Sequence, residues 1–187
     1  MTAEAAEREL FEDALACREA LPVEFVLVAL DATARERAVE RAESLLRAIA
    51  LVEDGQGEEG EERGAHELAL QRIEAKLNLL FELVGLVVRR EVAPLPVAEV
   101  RWSRRGVELA GAPPVAPGQA GLLRLQPVSW LPQAIELPVE AIAVDRREPT
   151  PRLWLRFSPL PEALESALER HLFRLHRRAI AGARRQR

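Results

Sequence analysis

The chain has 187 residues, 48% of them hydrophobic, which suits one domain or two small ones with a sizeable core and argues against global disorder. Its net charge of −4 is the sum of two opposite halves: residues 1–100 hold 22 acidic and 11 basic side chains, and residues 101–187 hold 8 and 15. The single cysteine, Cys17, rules out an intramolecular disulfide, no apolar run reaches membrane-spanning length, and the N-terminus lacks the basic-then-apolar layout of a signal peptide, so the chain reads as cytosolic with no membrane insertion.

Residues 3–20 read as a helix with Ala6, Leu10, Ala14 and Cys17 on one face, which makes Cys17 a buried structural thiol. The β-rich stretch Val23 to Val28 follows, either a strand or an extended docking segment. Thr33-Ala34-Arg35-Glu36 has the pattern of a capping box and opens a second helix whose face is Ala38, Ala42, Leu45, Ile49 and Val52. Residues 54–64 carry four glycines and five acidic side chains with no apolar one, a flexible acidic connector.

A long helix is predicted from about His66 to Arg90. Leu70, Ile73, Leu77, Leu80, Val84 and Val87 alternate three and four apart, the heptad spacing that lays a continuous stripe along a helix. Leu79, Phe81, Leu83, Leu86 and Val88 make its second half apolar on almost every side, more than a free-standing helix tolerates. At roughly 1.5–3 kcal/mol per buried Leu or Val, the stripe supplies on the order of 10 kcal/mol before chain ordering is deducted, which is enough to drive self-association. Ala42, Leu45 and Ile49 are expected to fill gaps in that assembly. Arg89 and Arg90 complement the negative end of the helix dipole.

Near Ala93-Pro94-Leu95-Pro96 the character changes: twelve of the thirteen prolines and all three tryptophans lie beyond residue 93. Val97–Trp102, Gly106–Leu109, Ala120–Gln126, Ile135–Val144 and Leu153–Phe157 read as short strands separated by turn-rich pieces, a spacing that suggests a small barrel. After Ser158-Pro159-Leu160-Pro161, a helix carries Leu164, Leu168, His171, Leu172 and Leu175 on one side and could lie on the barrel or plug its mouth. The expected fold is α+β: a coiled-coil-like oligomerisation region at 1–92, then a small antiparallel barrel with a closing helix at 94–187.

The turn Arg101-Trp102-Ser103-Arg104-Arg105-Gly106, placed early among the strands, and the final helix from Glu169 to Arg178 resemble those of a PilZ domain. Ser103 and Gly106 fit the S-x-x-G part of the family's D/N-x-S-x-x-G turn, and with the heptad helices in front the whole chain resembles the atypical PilZ proteins. That resemblance implies a non-catalytic adaptor or receptor in bacterial cyclic di-GMP signalling, with long helices assembling subunits, a tetramer being the expected state. Cyclic di-GMP is the ligand it implies, held in the family by an R-x-x-x-R segment ahead of the barrel and by the turn; paired arginines grip phosphates bidentately and stack on guanine. Here both elements are degenerate. Four residues on from Arg89 and Arg90 stand Ala93 and Pro94, and the D/N slot holds Arg101. The literal R-x-x-x-R of Arg101 and Arg105 overlaps the turn itself, so binding by the usual mode is expected to be weak or absent. The residues left to form a site are Arg101, Ser103, Arg104, Arg105 and Gly106, with Ser103 expected to bond its own turn and Gly106 to supply a permissive backbone angle.

Other classes are less well supported. The chain has no tyrosine, nucleophile elbow, Walker-type loop or paired cysteines, so no catalytic residue is assigned. His171 and His176, five apart, do not share a helix face as metal ligands would. Arg170, Arg174, Arg177, Arg178, Arg184, Arg185 and Arg187 would attract a nucleic acid, but Phe173 is the only aromatic among them, which argues against a single-strand reader. Two alternatives stay open: a true cyclic di-GMP receptor using Arg101, Arg104 and Arg105, and a nucleic-acid-binding protein using the C-terminal helix. Partners other than self are unspecified signalling or motility proteins.

Overall fold

A computed structural model describes residues 1–55, 77, 94–111, 113–147 and 150–185. The first helix, α1 (Ala3–Phe11), starts where the Thr2 hydroxyl accepts from the Ala5 amide at 3.2 Å. It ends well short of residue 20, because Asp13 turns left-handed at φ 55° and breaks the helical path. The chain then becomes β1 (Cys17–Leu27), with Cys17, Val23 and Phe25 directed inward. Leu10, Ala14 and Cys17 thus share a helical spacing but not a helix. Cys17 is buried, as expected, on a strand.

Helix α2 (Ala32–Gly55) is capped by Asp31, whose carboxylate accepts from the Ala34 amide at 2.7 Å; Thr33 lies inside the first turn rather than capping it. Its buried face is Ala38, Val39, Ala42, Leu46 and Ile49, turned against the strand Ile135–Asp145 and the last helix. Leu45 is only half-buried, and Val52 is exposed, so the face is rotated from the expected one. Ala42 and Ile49 are already covered within the chain, leaving Leu45 alone of the three with surface for another copy.

The strands β2 (Val97–Trp102), β3 (Gly106–Ala110), β4 (Ala120–Leu125), β5 (Ile135–Asp145) and β6 (Arg152–Phe157) lie where period-two alternation predicts them. With β1 they close an antiparallel barrel in the order β1-β2-β3-β6-β5-β4, and β1 pairs with both β2 (Cys17↔Trp102) and β4 (Phe25↔Leu123). Closure removes the free edges of an open sheet. The barrel therefore takes a strand from the region 1–92 that composition had set apart as a helical stalk. Its interior is packed with Trp102, Leu123, Leu125, Leu137, Leu153 and Leu155. Helix α3 (Glu162–Arg185) covers this core with Leu164, Leu168 and Leu172, the expected stripe, while Leu175 is partly buried beside it. A second apolar cluster joins Ala6, Leu10 and Phe11 of α1 to Ile142, Ala143 and Trp154 on the barrel's outer face.

Of the heptad stripe, Leu77 is helical and 46% exposed. Leu70, Ile73, Leu80, Val84 and Val87, the flanking apolar positions, Arg89 and Arg90 lie outside the described residues, as does most of the acidic connector. Among the described residues no helix is long and apolar enough to cross a membrane.

Candidate functional site

The turn between β2 and β3 is closed by the Ser103 amide, which donates to the Gly106 carbonyl at 2.9 Å. Ser103 is fully buried. Its hydroxyl accepts from the Arg105 amide at 3.1 Å, as a turn serine should, and donates to the Leu10 carbonyl of α1 at 2.7 Å. Gly106 does not have the positive φ expected of it, which occurs among the described glycines at Gly111 and Gly118. The requirement for glycine is close approach: a Cβ at 106 would lie 2.2 Å from the Leu155 carbonyl oxygen and 2.9 Å from a Leu10 methyl.

The arginines of this turn are not a solvated basic patch. Arg105 donates to the Glu9 carbonyl at 3.1 Å and the Glu12 carbonyl at 2.9 Å, placing a cation on the negative end of α1. Arg101 pairs with Glu7, and its guanidinium lies over the Phe11 ring, 4.1 Å from the centroid. Glu7 also accepts from the Trp154 indole at 3.2 Å, while Arg156 bridges Glu9 at 3.0 Å and Glu140 at 2.8 Å. Arg104 points away from α1 and pairs with Glu169 of α3 at 3.2 Å. The five predicted site residues are thus contiguous, but four of them face one short helix of the same chain. The sequence reading missed Glu7, Glu9, Leu10 and Glu12 as their partners. No local signal points to them, because these partners lie more than 90 residues from the turn.

Behind the turn, under α3, lies a second polar cluster. The Trp102 indole donates to Glu19 at 3.0 Å, and burial raises the Glu19 carboxyl above its ordinary pKa. The Cys17 thiol donates to the Leu172 carbonyl at 3.3 Å and is likewise raised by burial, so it is held as a neutral thiol. His171, fully buried, meets the Trp102 ring edge-on at 5.5 Å. Burial first, then Arg174 and Arg178, lower its pKa to about 4. Among the described residues neither ring nitrogen has a hydrogen-bond partner. Arg174 and Arg178 converge on Glu53 at 3.1 and 2.9 Å, tying α3 to the end of α2. No group of three or more His, Cys, Asp or Glu among the described residues is placed to hold a metal ion.

This architecture is found in known proteins. A structure of a pathogenic protein from Xanthomonas campestris, described as a tetrameric PilZ domain self-assembled through an unusual helical bundle, is 43% identical, covers 96% of this chain and 97% of that one, and superposes with a TM-score of 0.81. The PilZ domain of YcgR from Escherichia coli, solved with c-di-GMP, is 22% identical over 49% of this chain and 82% of that one, with a TM-score of 0.38. No curated protein matches. The family model "Atypical PilZ domain, cyclic di-GMP receptor" matches residues 46–185, a span that takes in β2 to β6 and α3; the chain belongs to the atypical PilZ domain family.

Proposed function

We propose that the chain is a non-catalytic, self-assembling adaptor of bacterial cyclic di-GMP signalling that binds the nucleotide weakly or not at all by the usual mode. The observation that carries this reading is the docking of α1 on the turn. Ser103 and Arg105 spend their polar contacts on α1 carbonyls, and Arg101 is held between Glu7 and Phe11. A phosphate approaching these groups would first have to displace a helix seated in its own apolar cluster. Arg101 in the slot of a small acidic or amide residue removes the acceptor that would read a guanine edge. Arg104 lies apart from these contacts, and its guanidinium is engaged by Glu169.

Self-assembly through the heptad helices is supported by the stripe from Leu70 to Val87, by the exposure of Leu77, and by the tetramer described for the 43% identical protein. A tetramer is the state proposed for this chain. Calorimetric titration of the full chain with cyclic di-GMP tests the nucleotide reading. No heat in the low-micromolar range is expected, and clear saturable binding there, lost on Arg105→Ala, would overturn it.

A further inference from the structure

One groove lies outside the contacts of α1. It has a volume of about 670 Å³ and runs between the 13–15 loop, Arg104 and the face of α3 that carries Arg170, Phe173 and Arg177. Two large apolar side chains open onto it without cover, Leu15 at 38% and Phe173 at 54% exposure. Leu172 forms part of the lining. Arg170, Phe173 and Arg177 fall three and four apart, so they share one side of the helix. The two arginines are separated by two helical turns, about 10 Å along the axis.

The charges are unevenly satisfied. Arg104 is paired with Glu169 at 3.2 Å, and Arg174 with Glu53 at 3.1 Å. Arg170 and Arg177 have no carboxylate within ion-pair distance among the described residues, and Asp13 is the one acidic side chain across the groove from them. Positive charge flanking exposed apolar surface is complementary to a segment with the opposite arrangement.

We propose that this groove docks an acidic segment of a partner protein, one that sets an apolar side chain against Leu15 and Phe173 and carboxylates against Arg170 and Arg177. The proposal rests on the adaptor reading and gives it a place and a partner chemistry. A polynucleotide fits less well, because Phe173 is the one aromatic lining the groove on which a base could stack.

The test uses the full chain and a fluorescein-labelled helical peptide carrying one Phe between Glu residues two turns apart, followed by anisotropy. The acidic peptide is expected to bind, to lose about tenfold in affinity on Phe173→Ala, and to lose binding on joint Arg170→Glu and Arg177→Glu. The same peptide with Lys in place of Glu should bind the doubly reversed chain and not the parent, a rescue that an unfolded variant could not give. Amide shifts on binding should centre on Leu15, Arg170 and Phe173. No binding by the acidic peptide, binding indifferent to these changes, or displacement of the peptide by oligo-dT would overturn the proposal. Peptide binding that ignores the groove variants would still leave the adaptor reading standing, whereas low-micromolar cyclic di-GMP heat would overturn that reading without touching the groove.

Discussion

His171→Leu removes a titrating group from the core and should flatten the chain's response to mild acid. In the folded protein the imidazole is sealed under α3 against Trp102, near Arg174 and Arg178, and its pKa is about 4 against an ordinary 6.5. Well above pH 6.5 the ring is neutral in both folded and unfolded chains and the residue adds no pH dependence. Between pH 6.5 and about 4 the unfolded chain binds a proton that the folded one refuses, so stability falls as pH falls. The slope approaches 1.4 kcal/mol per pH unit, and the loss levels off near about 3 kcal/mol once both states are protonated. Glu19 acts in the opposite direction, because burial raises its pKa and the folded state gains its proton first. Its contribution is common to parent and variant and cancels in their difference. Urea unfolding at steps from about pH 7.5 to pH 4 measures that difference. At the upper end His171→Leu should be neutral or slightly stabilising, since two unpartnered buried nitrogens disappear. Toward the lower end the variant should gain about 3 kcal/mol on the parent. Parallel curves across the whole range would mean that the folded chain protonates His171 as freely as the unfolded one, and the reasoning would fail.

Gly106→Ala places a methyl 2.2 Å from the Leu155 carbonyl oxygen and should cost about 1–3 kcal/mol or more by chemical denaturation; a neutral result would show that β6 yields there. Arg105→Ala removes two donors from the end of α1 and should cost on the order of 1 kcal/mol, with faster amide exchange across Ala6 to Phe11 and little change in β4 or β5. Leu77→Asp should lower the mass seen by light scattering from that of the proposed tetramer to that of a single chain. An unchanged mass would make the heptad stripe internal core.

The strands β2 to β6 and the stripe of α3 were legible because alternation, turn residues and helical spacing all agree with the tertiary structure there. The first strand was obscured by coincidence. Leu10, Ala14 and Cys17 keep helical phase across a break that depends on the left-handed conformation of Asp13, and an Asp advertises that conformation only weakly. Alternation from Cys17 through Glu19, Leu21, Val23 and Phe25 was present but had been assigned to two different elements. At the start of α2, Asp31 and Thr33 are both residue types that can cap, and it is the Asp31 carboxylate that accepts from the Ala34 amide. At the turn, the types and positions of Arg101, Ser103 and Arg105 were readable, but their partners lie more than 90 residues away in sequence. No local pattern reports such pairings. Gly106 was expected to supply a permissive backbone angle, but what it meets is crowding by Leu10 and Leu155, which depends on two distant elements meeting.

The pairing of Cys17 with Trp102 means that the earliest strand to leave the ribosome must wait for some of the latest before it can lock. The chain departs from the barrel at Leu27 and rejoins it at Val97, so everything between is stitched into the ring at both ends rather than trailing from one. A nick in that interval would leave two fragments still sharing one hydrogen-bonded cylinder, β1 on one piece and β2 through β6 on the other. A chain cut once in that interval should therefore give two bands under denaturant and one without it.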